Sequence, residues 1–261
     1  MPIGSLLPGK IVLVSGGTRG VGAGVATAAA REGATVVVTG RRRAAGERLV
    51  AELTGAGATA RFVPADVADP EQAKAGVAAT VAEFGRVDCL VNSAGLVTRG
   101  TLLDTTPELF DAHVAVNLRA PFFTMQAAVA DMVRRGEPGA IVNIISISAH
   151  GGQPYLAPYV AAKAGLAGLT RNAAHAHRFD RIRINGLDIG WTDTEGEDAV
   201  QRAAHGAGDG WAERAGRALP MGRLARAEEI ADMVVFLLSE RSGVVTGAVL
   251  DWDQTVVGAY D

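Results

Sequence analysis

Tyr159 and Lys163 stand four residues apart in a segment that opens at Pro158 and reads as helix. Both side chains therefore project from one face, with Cβ atoms about 6 Å apart. A free phenol ionises near pH 10, and lowering its pKa to about 7 takes roughly 4 kcal/mol of preferential stabilisation of the phenolate. A neighbouring ammonium supplies charge of the right sign. An ordinary helical Tyr and Lys pair has the same spacing, so the pair acquires meaning only from the rest of the chain. A second candidate is Ser15-Gly16-Gly17-Thr18-Arg19-Gly20-Val21-Gly22, which follows an apolar run and precedes an Ala-rich stretch. Glycines at such a turn let backbone N–H groups and a helix N-terminus approach a pyrophosphate with no side chain between them. The spacing is G-x-x-x-G-x-G rather than G-x-G-x-x-G, and a merely tight strand-to-helix turn also uses glycines. A third is Thr39-Gly40-Arg41-Arg42-Arg43, with no carboxylate before Glu47. A dinucleotide fold that takes NAD places an acid near here for the ribose hydroxyls, whereas arginines suit a 2′-phosphate or simply a solvated basic surface.

The elements that must position these groups are legible as alternation. Short β-branched runs at Lys10 to Ser15, Thr35 to Thr39, Ala60 to Pro64, Asp88 to Asn92, Ala140 to Ser146, Ile182 to Leu187 and Ala248 to Asp251 are separated by longer Ala-rich segments. That is the pattern of a parallel sheet covered by helices on both faces. Between Asp69 and Gly85 the punctuation is complete: Asp69 caps, Pro70 suits the first turn, Val77, Val81 and Phe84 share a face, and Gly85 stops the helix. The segment from Asp188 to Arg223 breaks the rhythm, being rich in Gly, Asp, Glu, Arg and Trp, and is expected to be a binding loop or lid.

The 261 residues carry 25 Lys plus Arg against 28 Asp plus Glu, a net charge of −3, which points away from nucleic acid or another polyanion as partner. At 48% hydrophobic the chain has enough apolar residues for one large core, and one domain over 1–261 is expected. The single cysteine, Cys89, forms no internal disulfide and is expected in a buried strand. Met1 to Gly9 is too short for a signal peptide, and the uncharged stretch from Ala140 to Ala162 is broken by Asn143, His150, Gln153, Pro154 and Pro158; a cytoplasmic protein without membrane spans is expected. The five histidines include one close pair, His175 and His177, which face different ways on a helix, so no metal site is expected. G-x-S-x-G and G-x-x-x-x-G-K-[ST] are both absent.

Taken together and in order, the glycine pattern, Asp66-Val67, Asn92-Ser93-Ala94-Gly95, Asn117, Ser146 thirteen residues before Tyr159, and Lys163 resemble the short-chain dehydrogenase/reductase family from about residue 8 to 251. The resemblance implies a single-domain, Rossmann-like, doubly wound α/β fold of about seven mostly parallel strands, in the order 3-2-1-4-5-6-7. It implies reversible hydride transfer between NAD(P) and a secondary alcohol or ketone. It makes Tyr159 the general acid/base and Ser146 the donor to the substrate oxygen. Lys163 would hold the nicotinamide ribose and lower the tyrosine pKa, while Asn117 would bind a relay water. Gly16, Gly20 and Gly22 would line the pyrophosphate, Thr18, Arg19 and Val21 would also bind the cofactor, Asp66 and Val67 would contact the adenine, and Asn92, Ala94 and Gly95 would close the wall beside the cofactor. Gly190, Thr192 and Thr194 would meet the carboxamide. Two departures stand out: Ile189-Gly190 replaces the usual Pro-Gly, and Asp251-Trp252-Asp253-Gln254 replaces an Asp-Gly-Gly turn. Related enoyl reductases space their Tyr and Lys seven apart, so carbonyl reduction is favoured over carbon–carbon double-bond reduction.

From Arg19, Arg41 and Arg42, NADP(H) is expected in preference to NAD(H). Ser148, His150, Gln153, Leu156 and Trp191 are the candidate substrate contacts, and their polarity suggests a sugar, polyol or other small polar carbonyl compound. A homo-oligomer, dimer or tetramer, is the implied assembly. The alternative is a non-catalytic dinucleotide-binding sensor or scaffold, against which the intact set Asn117, Ser146, Tyr159 and Lys163 argues.

Overall fold

The computed structural model describes residues 5–258; the first four residues of the N-terminal stretch read above and the last three of the chain lie outside them. The order of elements is β1 (Ile11–Ser15), α1 (Gly20–Arg31), β2 (Thr35–Gly40), α2 (Arg43–Gly55), β3 (Ala60–Pro64), α3 (Pro70–Phe84) and β4 (Cys89–Asn92). Then come α4 (Pro107–Val114), a π-helical turn (Ala115–Arg119), α5 (Ala120–Arg135), β5 (Gly139–Ile144), α6 (Ala157–Ala176) and β6 (Ile182–Ile189). The chain finishes with β7 (Thr192–Asp193), α7 (Glu195–His205), α8 (Trp211–Arg217), β8 (Ala225–Arg226), α9 (Ala227–Leu238) and β9 (Val249–Trp252).

Seven parallel strands form one sheet in the order β3-β2-β1-β4-β5-β6-β9, as the alternation predicts, with β9 as the seventh. Side chains alternate across a strand, and both faces here are buried, so the central strands are mostly apolar. Val12, Val14, Val36, Val38, Val91 and Val142 join Val25, Ile230 and Val234 of α1 and α9 in one core. Leu13, Val37, Leu90 and Ile141 face the other way into Val77, Met125, Val129 and Met132 of α3 and α5. Cys89 is buried in β4, as expected. The α3 punctuation is realised: Asp69 accepts from the Glu71 N–H, Pro70 opens the helix, and Gly85 closes it at φ +83°.

The sheet order reverses between β1 and β4, and ligands of open α/β sheets bind at the carboxyl ends of the strands beside such a reversal. The glycine loop, the loop after β4, the loop after β5 and the segment after β6 all leave from that edge. The last differs from the expected boundaries. Asp188 and Ile189 belong to β6, because the ladder continues through Asp188↔Asp251 and Ile189↔Trp252. The remainder holds two helices, and β7 pairs with β8 to tie its two ends together. The Asp251-Trp252-Asp253-Gln254 departure has a matching role. The Gln254 amide accepts from the Met221 N–H and donates to the Arg223 carbonyl, bracing the returning end of the segment.

Candidate active site and dinucleotide cleft

The glycine loop can take a phosphate because nothing of its own fills the space. Gly16 and Gly20 have positive φ, and a Cβ on Gly16 would overlap the backbone of Ala94. A Cβ on Gly22 would overlap the Gly16 carbonyl. Arg19 occupies the N-cap of α1 without a side-chain hydrogen bond, and the first turn carries no acid, so the helix leaves its amide donors to a ligand. Thr194 packs against Gly20 from across the cleft. Its hydroxyl accepts from the Glu197 N–H and keeps its own proton to donate, whereas Thr192 spends its hydroxyl on the Gly190 carbonyl. Arg19, Arg41 and Arg42 lie close enough that the latter two, after burial, hold the Arg19 pKa below its ordinary value, with Glu195 offsetting only part. A dianion among them would relieve that repulsion. The Thr18 side chain stands 2.8 Å from where a Gly40 Cβ would be, so an acid at position 40 would first have to displace Thr18.

Of the two residues expected beside adenine, Val67 is buried and Asp66 accepts from the Ala68 N–H. Asn92 turns out to be a core residue: its amide donates to Asn143 and accepts from Thr124, so it shapes the wall from behind. Ala94 and Gly95 form that wall, Gly95 packing on the Asn117 amide.

Asn117 lies in the π-helical turn and is fully buried. Its Oδ1 accepts from the Leu96 N–H, while its Nδ2 donates to the Leu96 carbonyl and faces His113 Nδ1 at 3.2 Å. His113 in turn reaches the Thr98 carbonyl at 3.0 Å and packs edge-on against Tyr159. Burial lowers the His113 pKa. Sequence reasoning missed His113 as a clamp; its place four residues before Asn117 on one helix face was the available signal.

Tyr159 is 9% and Lys163 4% exposed, both on the buried face of α6. Lys163 Nζ donates to the Ile144 carbonyl at 2.7 Å, leaving two of its three hydrogens for a ligand. It lies 5.7 Å from the centre of the Tyr159 ring. The expected depression of the tyrosine pKa by lysine is not what this structure provides. Burial pushes the phenol up to about 12, the Ser146 hydroxyl beside it opposing, and burial brings Lys163 down to about 8. The phenol is thus a proton donor in the free chain. Ser146 also caps the turn after β5, accepting from the Ser148 N–H, and Ser148 donates to Gln153. Leu156 is buried under this loop. Trp191 donates to Glu197 at 2.9 Å; Glu197 lies 3.7 Å from Arg99, and Arg99 stacks on Tyr155 and donates to His205. Arg99 and Glu197 both act electrostatically on Tyr159, so this charged group roofs the same space, and it was not singled out in the sequence.

His150 departs from the expected substrate wall. Its imidazole turns toward Asp188 and Asp251.

A buried tyrosine with a serine beside it, a lysine with two hydrogens left over and the glycine loop are the candidates for an acid/base group and a dinucleotide cleft. The sequence profile of the family described as Enoyl-(Acyl carrier protein) reductase matches residues 16–255. The chain belongs to the short-chain dehydrogenase/reductase family. An L-rhamnose 1-dehydrogenase (NAD(P)(+)) from Azotobacter vinelandii is 38% identical over 251 residues, covering 94% of this chain and 95% of that protein. A 3-oxoacyl-[acyl-carrier-protein] reductase from Thermotoga maritima is 32% identical, with 96% and 99% covered. The crystal structure of a short-chain type dehydrogenase/reductase from Mycobacterium marinum superposes with a TM-score of 0.87 at 30% identity over 97% of both chains. This short-chain dehydrogenase/reductase is an NAD(P)-dependent oxidoreductase that interconverts an alcohol and a carbonyl compound, not a passive sensor. Among the described residues, no helix is long and apolar enough to cross a membrane.

Proposed function

We propose that the enzyme is an NADP(H)-preferring dehydrogenase/reductase of a small polyhydroxylated substrate, a sugar or polyol and its keto or lactone counterpart. Tyr159 donates a proton to the carbonyl oxygen as the hydride arrives and takes it back in the oxidative direction. Ser146 donates a hydrogen bond to the same oxygen, where charge develops. Lys163 would hold the nicotinamide ribose with its two remaining hydrogens, and Asn117 holds the Leu96 backbone by its N–H and its carbonyl. The cofactor, when bound, supplies the hydride acceptor and a cationic ring that favours the phenolate. Arg19, Arg41 and Arg42 pair with the 2′-phosphate.

The observation that carries the substrate class is the polar roof over Tyr159: Ser148, Gln153, Trp191, Arg99 and Glu197 offer donors and acceptors with one stacking surface. A steroid or acyl chain would require a continuous apolar lining. The likeness to L-rhamnose 1-dehydrogenases agrees with this. The segment 190–223 acts as the lid, its α7 contributing Glu197 and His205 to that roof. The assembly is a cytoplasmic homotetramer or dimer, in keeping with the exposed Phe110, Phe122 and Val133 on α4 and α5 and the free thiol of Cys89. The test is a panel of aldoses, polyols, steroids and acyl ketones, followed by cofactor absorbance with both nicotinamide forms. Turnover of sugars or polyols with NADP favoured is expected. Turnover confined to bulky apolar ketones would overturn the substrate class.

A further inference from the structure

Asp188 and Asp251 are register partners on the adjacent parallel strands β6 and β9. Like charges directly opposite on neighbouring strands repel, so something positive must lie with them. The Asp188 carboxylate is 1% exposed, and neither of its oxygens has a hydrogen-bond partner. An unpaired buried carboxylate is among the costlier things a fold can hold. Its pKa is pushed up to about 6, chiefly by burial, with His150, Arg171 and Lys163 opposing the rise and Asp251 adding to it. Arg171 and Lys163 act only through their fields, since the Lys163 ammonium is bonded to the Ile144 carbonyl.

The third member of the group comes from the catalytic loop. His150 Nε2 lies 3.2 Å from Asp188 Oδ2 and 3.0 Å from Asp251 Oδ1. One ring nitrogen carries at most one hydrogen: its hydrogen bond goes to Asp251, and the Asp188 carboxylate is left without a partner. A metal ion can sit between all three. Bonds of about 2.0–2.2 Å to nitrogen and oxygen put neighbouring ligand atoms roughly 3.0–3.5 Å apart, which matches both separations. The three ligand atoms lie within 4.8 Å of one another, the one such group among the described residues.

We propose that His150, Asp188 and Asp251 form a site for a divalent first-row transition-metal cation, Zn2+ or Mn2+. One imidazole and two carboxylates suit those ions better than Mg2+ or Ca2+, which favour all-oxygen shells. The His150 and Asp251 side chains are 39% and 43% exposed, so solvent completes the coordination and provides the entry path. The ion neutralises the Asp188 and Asp251 pair and staples the loop that carries Ser146 and Ser148 to the ends of β6 and β9. It runs against the expectation, drawn from histidine spacing, that the chain holds no metal: the ligands come from three separate segments. The site is independent of the substrate class proposed above.

The test uses the full chain stripped with EDTA and dialysed, titrated with ZnCl2, MnCl2 and MgCl2 by calorimetry, with Tm measured in parallel. Wild type should take one Zn2+ or Mn2+ per chain and gain several degrees in Tm, with Mg2+ at least tenfold weaker. His150→Gln and Asp251→Asn, at exposed positions, should each weaken Zn2+ at least tenfold. Co2+ should give a visible d–d spectrum in wild type that both variants lose. A wild-type chain indifferent to Zn2+ and Mn2+ would overturn the proposal. Binding retained by both variants would overturn it equally.

Discussion

Replacing Tyr159 with phenylalanine removes one hydroxyl from a ring that α6 and His113 hold in place. Because burial puts the phenol pKa at about 12, fewer than about one free molecule in ten thousand carries the phenolate at pH 7. Tyr159 therefore enters the reductive cycle already protonated, and the Tyr159→Phe variant has nothing to donate. General acid catalysis contributes about 10²–10⁴ in rate, so kcat for a ketone should fall by roughly 3–5 kcal/mol of transition-state stabilisation. The structural cost is small by comparison. The hydroxyl's partner is Ser146, and one net hydrogen bond is worth about 1 kcal/mol. In a chain of this length that lowers Tm by about 2–4 °C. Cofactor affinity, read from quenching of tryptophan fluorescence, should stay within about twofold, since the ring remains. Oxidation should suffer as well, because it requires the same group as a base. Retention of more than about a tenth of wild-type kcat, a loss below about 1.4 kcal/mol, would refute the assigned role. A parallel collapse in cofactor binding would refute the claim that the ring and the proton are separable.

Gly22→Ala drives a Cβ into the Gly16 carbonyl, so cofactor Kd should rise at least tenfold while the chain loses about 1–3 kcal/mol of stability; unchanged binding would remove the cradle from the argument. Arg41→Ala combined with Arg42→Ala should lower the NADP-to-NAD ratio of kcat/KM at least tenfold. Gly40→Asp should do less, because Thr18 must first move aside; a ratio near one in the wild type would defeat both expectations. Protease cleavage in the 206–210 link between α7 and α8 should slow when cofactor and substrate are bound together, and an unchanged rate would count against a closing lid. Cys89 is 2% exposed, with its thiol pushed up to about 12 by burial, so an aromatic disulfide reagent should label one thiol per chain only after denaturation.

Local rules were enough for the elements and for part of the site. The strands are short β-branched runs, and Asp69, Pro70 and Gly85 act within a single turn of themselves, so their roles are written in neighbouring residues. Tyr159 and Lys163 share a helix face because α-helical geometry makes positions four apart adjacent. The glycine loop is equally local, since a Cβ at Gly22 would strike a carbonyl six residues earlier.

What depends on distant segments meeting was decided only by the tertiary structure. No spacing announces that Asn92 would be spent on Asn143 and Thr124 in the core, or that Asn117 would sit in a π-helical turn and grip Leu96. The register that brings Asp188 opposite Asp251 belongs to the whole β6–β9 ladder from Gly186↔Val249 onward, two segments more than sixty residues apart in the chain. The pKa values of Tyr159 and Lys163 moved with burial, a property of the assembled core that a pair of residues on a helix does not possess. His150, Asp188 and Asp251 are scattered over about a hundred residues, and only the packing of a loop against two strand ends makes them one group. Sequence periodicity encodes contacts up to a turn or a pleat away; the electrostatics of a site are set by whichever distant charges the fold brings into the same low-dielectric space.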